Sequence, residues 1–255
     1  MSQYFIDKNH IKNDKFSADI EESRHIMKVA RQRIGDEIKI FDGQGKRYSA
    51  IINLYERQRV SGSIKCELIS LNYKTNITLC FAPTKKTAFE EILEHCTETG
   101  INCFMPIVTD RTQGYAGCRI KGQRPSGDQV NYGDKWGKKK ERFNQILLSA
   151  SKQSERAFIP ALLAPQSFKD IFSDADIVFF AVPDGDSLQD CGVDFKNIKN
   201  AKIIIGPEGG FTPEEINFAK TKKAVFIKIS KHILKSETAA IVASSLILNA
   251  SEPSK

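Results

Sequence analysis

The sequence predicts an α/β fold in which a mostly parallel sheet flanked by helices is preceded by a small β-barrel. Up to about residue 72 the apolar residues alternate at period two between turn signals, and after Lys74 strand and helix patterns alternate. Near the C-terminal end an apolar strand, Ile203-Ile204-Ile205, runs into Gly206-Pro207-Glu208-Gly209-Gly210-Phe211-Thr212-Pro213-Glu214-Glu215, a glycine-rich turn and a helix start. A chain of 255 residues, 40% hydrophobic and 27% charged, can bury a core as one large domain or two ordinary ones. The change of pattern favours two, 1–72 and 75–255.

In the first part, Tyr4-Phe5-Ile6 is a candidate strand, and Glu21 to Arg33 reads as a short helix carrying Arg24, His25, Lys28, Arg31 and Arg33. A solvated basic face is its simplest reading. Glu37 to Asp42 alternates, Gly43-Gln44-Gly45 supplies a turn, and Arg47 to Leu54 and Val60 to Leu71 are further strands.

In the second part, Ile77 to Ala82 is a strand and Thr87 to Thr99 a helix with Phe89, Ile92, Leu93 and Cys96 on one face. Gly100 stops the helix, and Cys103 to Val108 is the next strand, parallel to the first through a right-handed crossover. The stretch from Gly114 to Gly137 holds six glycines and reads as a mobile surface loop. Tyr115, Tyr132 and Trp136 there are available to stack on bases, and a plain insertion is the alternative. Lys139 to Ser154 is helical, with Phe143, Ile146, Leu147 and Ala150 on its apolar face. Asp176 to Pro183 is an apolar strand whose end is a candidate wall of a ligand site. Val225 to Ile229 is the last strand, followed by a polar turn and an apolar helix for which Ser236 is the candidate cap.

Gly206, Gly209 and Gly210 allow the backbone close to a ligand, so that peptide groups can read a flat base such as adenine. Glu208 in the loop and the absence of a following Gly-Lys-Ser/Thr disfavour a phosphate loop, and the spacing is not Gly-x-Gly-x-x-Gly. A tight structural turn is the alternative. Thr212-x-x-Glu215 fits a capping box with Pro213 at the first helical position.

Gly-Pro-Glu-Gly-Gly-Phe at 206–211, with Leu-Lys-Ser-Glu-Thr-Ala at 234–239, resembles the RsmE family of the SPOUT superfamily, which methylates a uridine N3 in small-subunit rRNA. The likeness extends to His25-Ile26, Val29, Arg31, Gly35-Asp36 and Phe41-Asp42-Gly43 of a PUA-like RNA-binding barrel. It also takes in Thr97-Glu98-Thr99-Gly100-Ile101, Thr109-Asp110-Arg111-Thr112 and Gln153-Ser154-x-Arg156. Ala30, His95, Lys152 and Lys235 stand where relatives commonly carry leucine, lysine, glutamate and arginine.

The resemblance implies a trefoil knot that holds S-adenosylmethionine bent. It assigns cofactor binding to Val182, Pro183, Gly206, Pro207, Glu208, Gly209, Gly210, Ile229, Ser230, Leu234 and Thr238. Lys235, Arg111 and Arg156 are the candidate cations for the catalytic step, and Glu237 could orient one or receive a proton. Arg24, Arg31, Arg111, Arg142 and Arg156 are the candidate RNA contacts, 16S rRNA in the small ribosomal subunit is the implied substrate, and a homodimer the implied assembly. A SPOUT RNA methyltransferase with another target, and a non-catalytic RNA-binding or ribosome-assembly protein, are the alternatives.

Composition agrees with a polyanionic partner. The net charge is +7, and from Arg111 to Arg142 nine Lys or Arg face three acids. Six cysteines (66, 80, 96, 103, 118 and 191) show no Cys-x-x-Cys spacing, which argues against a metal site. Cys80, Cys96 and Cys103 sit in apolar patterns and read as core, which weakens chemistry through a cysteine adduct. With no apolar run of membrane length and no export signal at Met1 to Asp7, a cytoplasmic location is expected.

Overall fold

The fold is that of a computed structural model of the chain, which describes residues 3–70, 72–82, 85–112 and 133–252. The chain divides into two compact units, 1–72 with 148–159, and 73–147 with 160–255.

The first unit is a six-stranded sheet: β1 (Tyr4–Phe5), β2 (Ile11–Lys12), β3 (Lys15–Ser17), β4 (Glu37–Phe41), β5 (Arg47–Glu56) and β6 (Arg59–Leu68), in the order β1-β4-β5-β6-β3-β2. All pairs are antiparallel except β1 with β4. Alternate residues turn inward to one core, with Ile38 and Ile40 from β4, Ala50 and Ile52 from β5, and Tyr4, Phe16 and Val60 from their neighbours. The helix expected over Glu21 to Arg33 is shorter. Helix α1 (Ile20–Arg24), capped by Asp19, gives way to one π turn over His25–Val29, where the Ala30 N–H reaches back to His25 O. Arg31 then takes a left-handed φ of 56°, which ends the helix, so Arg31 and Arg33 lie in the following turn.

The segment 148–159, which the sequence pattern places in the second domain, joins the first because its polar groups are answered there. The Gln3 side-chain amide donates to Ser151 O at 3.2 Å and Arg156 O at 2.5 Å. Glu155 takes Lys39 at 2.9 Å and Arg47 at 2.5 Å. Lys152 pairs with buried Glu22. The charge reversal at Lys152 is thus matched by an acid on α1.

The second unit is an all-parallel sheet. Its strands are β7 (Asn76–Phe81), β8 (Cys103–Val108), β9 (Ala161–Leu162), β10 (Gln166–Ser167), β11 (Ile177–Asp186), β12 (Asn200–Ile205) and β13 (Val225–Ile227). The order is β10-β8-β7-β12-β11-β13, with β9 also on β8. Its helices are α2 (Lys86–Thr99), α3 (Gly133–Gln153) as far as Leu147, α4 (Pro213–Thr221) and α5 (Ser236–Ser251). The near-continuous apolar strands follow from burial on both faces. Cys80, Ile204 and Phe180 meet Phe168, Phe211 and, from α4, Ala219 on one face, and on the other the Phe81 ring packs tilted against Phe89 of α2 with centroids 5.0 Å apart. Gly100, with φ of 121°, ends α2 as expected.

β13 is an edge strand beside β11, yet α5 packs on α2, β7 and β12. Between 228 and 235 the chain therefore crosses back over the sheet, a move no local pattern announces. Lys202, inward on β12, is buried because its ammonium donates to Ile171 O at 3.0 Å and Ser173 O at 2.5 Å.

Trp136 corrects an expectation: it lies on α3, buried against Phe143 at 5.8 Å, and is not available for stacking. Tyr115, Cys118 and Tyr132, with the rest of the expected glycine-rich loop up to residue 132, lie outside the described residues, whereas 133–137, expected to end that loop, are the first turn of α3. Cys80 and Cys96 are buried and Cys103 partly so, and burial pushes the Cys80 and Cys96 thiols up to about 12. Such thiols stay protonated and are poor nucleophiles. No helix among the described residues is long and apolar enough to cross a membrane.

Candidate active site

Parallel strands put their carboxyl ends, and the loops that leave them, on one edge of a sheet, where α/β proteins bind ligands. Four such loops matter here, after β8, β11, β12 and β13. The loop after β12 is the glycine-rich one, and three hydrogen-bonding groups fasten it.

Within the loop, the Gly210 N–H donates to Pro207 O at 2.9 Å, and Gly210 takes a left-handed φ of 67° that favours glycine. Gly206 is required for a different reason: a Cβ there would come 2.7 Å from the Phe211 ring. That ring is buried against Phe180 with centroids 4.4 Å apart, so the loop folds back on its own core anchor.

From the loop after β8, the Arg111 guanidinium donates to Gly209 O at 2.7 Å and Phe211 O at 3.3 Å. Arg111 thus clasps the glycine loop with one of its amino groups while remaining exposed. From the start of α4, Glu215 accepts from the Thr212 N–H at 2.8 Å and from the Asp110 N–H at 2.9 Å. The capping box forms as the spacing predicts, with the Thr212 hydroxyl accepting from the Glu215 N–H at 3.2 Å. Burial raises the Glu215 carboxyl above the usual range, against the lowering pull of its two N–H donors.

The third fastening comes from α5. Ser236 does not cap that helix; Lys235 occupies the cap position and makes no side-chain cap bond. Buried Ser236 instead donates to Gly206 O at 3.1 Å, which joins the two motif loops directly.

The end of β11 explains the expected wall at 182–183. Ala181 and Asp186 both register with Ile227 of β13, so residues 182–185 bulge out of the strand. Lys228 donates its N–H to Asp186 O at 2.7 Å, and a Cβ at Gly185 would strike the Ile227 backbone at 2.5 Å. Val182 is half-buried and Pro183 exposed on this bulge.

Around these loops Pro207 is buried, Ile229, Ser230 and Leu234 are half-buried, and Thr238 is exposed. The Ser230 hydroxyl accepts from the His232 N–H at 3.0 Å and shapes the loop after β13. Glu208 is exposed and makes no side-chain hydrogen bond among the described residues, so it does not fix the loop. Lys235 is likewise exposed without an ion pair among the described residues, two positions before half-buried Glu237.

The remaining predicted residues divide. Arg142 directs its guanidinium at Glu90, with both bonds at 2.9 Å. Arg156 belongs to the first unit, where its carbonyl holds Gln3. Arg24 and Arg31 are exposed in that unit. His95 lies 3.7 Å from Glu98. Among the described residues no group of three His, Cys, Asp or Glu could hold a metal ion.

Three of these contacts lay beyond the sequence reading: the Arg111 clasp, the Ser236 link and the second arm of Glu215. Only Glu215 carried a signal, the capping box, and that accounts for one of its two oxygens.

An RNA methyltransferase domain model matches residues 72–124 and 126–248, and an RNA methyltransferase PUA domain model matches residues 18–65. The chain is 32% identical over 174 residues to ribosomal RNA small subunit methyltransferase E of Mesomycoplasma hyopneumoniae, across 66% of this chain and 67% of the relative. It is 29% identical over 231 residues to the protein of that name from Synechocystis, across 86% and 68%. The crystal structure of ribosomal RNA small subunit methyltransferase E from Neisseria gonorrhoeae, bound to S-adenosyl methionine, superposes with a TM-score of 0.81 over 98% of this chain and 97% of that one, at 22% identity. The chain belongs to the ribosomal RNA small subunit methyltransferase E family of RNA methyltransferases.

Proposed function

We propose that the protein transfers a methyl group from S-adenosylmethionine to N3 of a uridine in 16S rRNA of the small ribosomal subunit, in the cytoplasm and as a homodimer. The observation that carries this reading is the fastened glycine loop. Arg111, Ser236 and Glu215 hold residues 206–212 from three sides, leaving an uncharged backbone surface at the carboxyl edge of a parallel sheet.

That surface suits the cofactor. Gly206 and Gly185 hold the loop and the bulge tight against the Phe211 ring and the Ile227 backbone, where a Cβ would clash. Half-buried Val182, Ile229 and Leu234 supply apolar contact for a flat base. Pro183, Pro207 to Gly210, Ser230 and Thr238 complete the set that would hold it. When bound, S-adenosylmethionine supplies an electrophilic methyl on a sulfonium.

The chain's own task is then alignment and proton handling. N3 of uridine lies between two carbonyls, and negative charge spreads onto their oxygens as its proton leaves. A cation beside those oxygens stabilises that charge. Lys235, exposed and without an ion pair among the described residues, is assigned as that cation, and Glu237 is assigned to receive the proton or orient the lysine. Arg111 serves the loop first: one amino group is spent on its carbonyls, and the rest of the guanidinium remains for RNA. Arg156, with Arg24, Arg31 and Arg142, is assigned to RNA contact.

The test is transfer of labelled methyl to small ribosomal subunits lacking the modification, followed by nucleoside digestion and chromatography. The reading predicts label in 3-methyluridine. Label in another nucleoside would retain the cofactor and replace the target, and the absence of both label and cofactor binding would favour a non-catalytic RNA-binding protein.

A further inference from the structure

The first unit carries a surface hollow of about 400 Å³ that none of the motifs accounts for. It lies between the β2–β3 hairpin and the bulged part of β5. Its rim includes Asn9, His10, Lys12 and Lys15, and its far side Asn53 and Leu54. Its lining contains no carboxylate.

Two features point to a ligand. The hairpin turns on Asn13 and Asp14, both left-handed at φ of 51° and 55°, and this tight turn sets Lys12 directly opposite Lys15. Like charges facing each other across a strand pair are destabilising, and neither lysine makes an ion pair among the described residues. An anion between them would relieve that repulsion.

The second feature is independent of charge. The β5–β6 register slips between Ile52 and Leu54. In a regular strand Leu54 would follow Ala50 and Ile52 into the core. The bulge instead turns both Asn53 and Leu54 outward, leaving Leu54 48% exposed. Bulges re-aim side chains in this way next to functional sites. The hollow therefore presents two cations, an imidazole, two amides and an apolar platform, a set that suits one phosphate with its sugar or base edge.

We propose that this hollow binds the phosphate backbone of the RNA substrate, with Lys12 and Lys15 on a phosphate and Leu54 under the adjoining sugar or base. The inference rests on RNA being the substrate, and it places a contact apart from Arg24 and Arg31.

The experiment is a fluorescence-anisotropy titration of the full chain against a short labelled single-stranded oligoribonucleotide across a series of KCl concentrations. The Lys12→Ala/Lys15→Ala double variant should bind about tenfold more weakly at low salt, and its salt slope should fall by ~1.4, at ~0.7 for each lost phosphate contact. The Lys12→Arg/Lys15→Arg variant should retain binding, and S-adenosylmethionine affinity should be the same in all three proteins. Both lysines are exposed, so the variants keep the fold.

Wild-type affinity and slope in the double-alanine variant would overturn the inference. So would binding of inorganic phosphate that the double-alanine variant loses while RNA affinity is unchanged by phosphate at constant ionic strength, which would mark a free-anion site. A wild type that methylates small subunits while the double-alanine variant binds normally would sink only the inference; a wild type that neither binds nor methylates RNA would sink the functional reading with it.

Discussion

Glu155 in the first unit takes the charged ends of Lys39 and Arg47, whereas Glu215 in the second takes two peptide N–H groups. Each joins pieces of chain more than a hundred residues apart. The surroundings shift them in opposite directions. Hydrogen bonding from Lys39, with Arg47, lowers the Glu155 carboxyl, and burial raises that of Glu215. The segment 148–159 is fastened by paired charges, Lys152 with Glu22 among them, together with the Gln3 amide on two of its carbonyls. The loops at the sheet edge are fastened through backbone carbonyls and N–H groups, by Arg111, Ser236 and Glu215. Charge pairing holds a linking segment in place; fastening through peptide groups holds a loop whose backbone offers uncharged N–H and C=O groups. The second arrangement is what an uncharged base needs.

The strongest way to break the contrast is Lys152→Glu, which reverses the charge at the pair with Glu22. Here it would set two carboxylates together at a buried site, since Glu22 is 5% exposed. The expected loss is about 3–5 kcal/mol, the range for breaking a buried pair, read by urea denaturation of the full chain. Gly206→Ala strikes the other arrangement. Its Cβ would press on the Phe211 ring, at an expected loss of about 1–3 kcal/mol and with a marked drop in cofactor affinity by calorimetry. Ser236→Ala removes a single bond between the motif loops, worth about 1 kcal/mol, and methyl-transfer assays should show a modest rise in the cofactor KM with the fold intact.

pH separates the two carboxylates with the smallest effect. The folded pKa of Glu155 is lowered, so its contribution is present above the ordinary glutamate value of about 4.3 and is lost as pH falls through the folded value. Glu215 is raised, so its contribution is fully present below the unfolded value and declines as pH rises through the folded one. Acid denaturation of Glu155→Gln should therefore be less steep than that of wild type, and Glu215→Gln should lack the decline that wild type shows at the upper end of the carboxylate range. Following both by urea midpoint against pH checks the two signs.

Much of this organisation is legible in residue patterns. Period-two alternation marks β4 and β5, Gly100 ends α2, and Thr212 with Glu215 announces the start of α4, because each of these is decided by neighbours in sequence. The π turn at His25–Val29 and the early end of that helix were not legible, since they depend on the left-handed Arg31 and not on apolar spacing. Trp136 sat in a glycine-rich polar stretch, and only its partner Phe143 on α3 shows it to be core. Ser236 sits where a cap belongs, and the carbonyl that claims its hydroxyl lies thirty residues away. At the candidate site the loops were readable and their fastenings were not, because hydrogen bonds between distant carbonyls and side chains leave no periodic trace.

The central claim is that the fastened glycine loop is the cofactor cradle, and calorimetric titration of S-adenosylmethionine into wild type and Arg111→Ala tests it most directly. Loss of the clasp on Gly209 and Phe211 should weaken binding by roughly fivefold to tenfold, about 1–1.4 kcal/mol. Equal affinity in the two proteins would contradict the account.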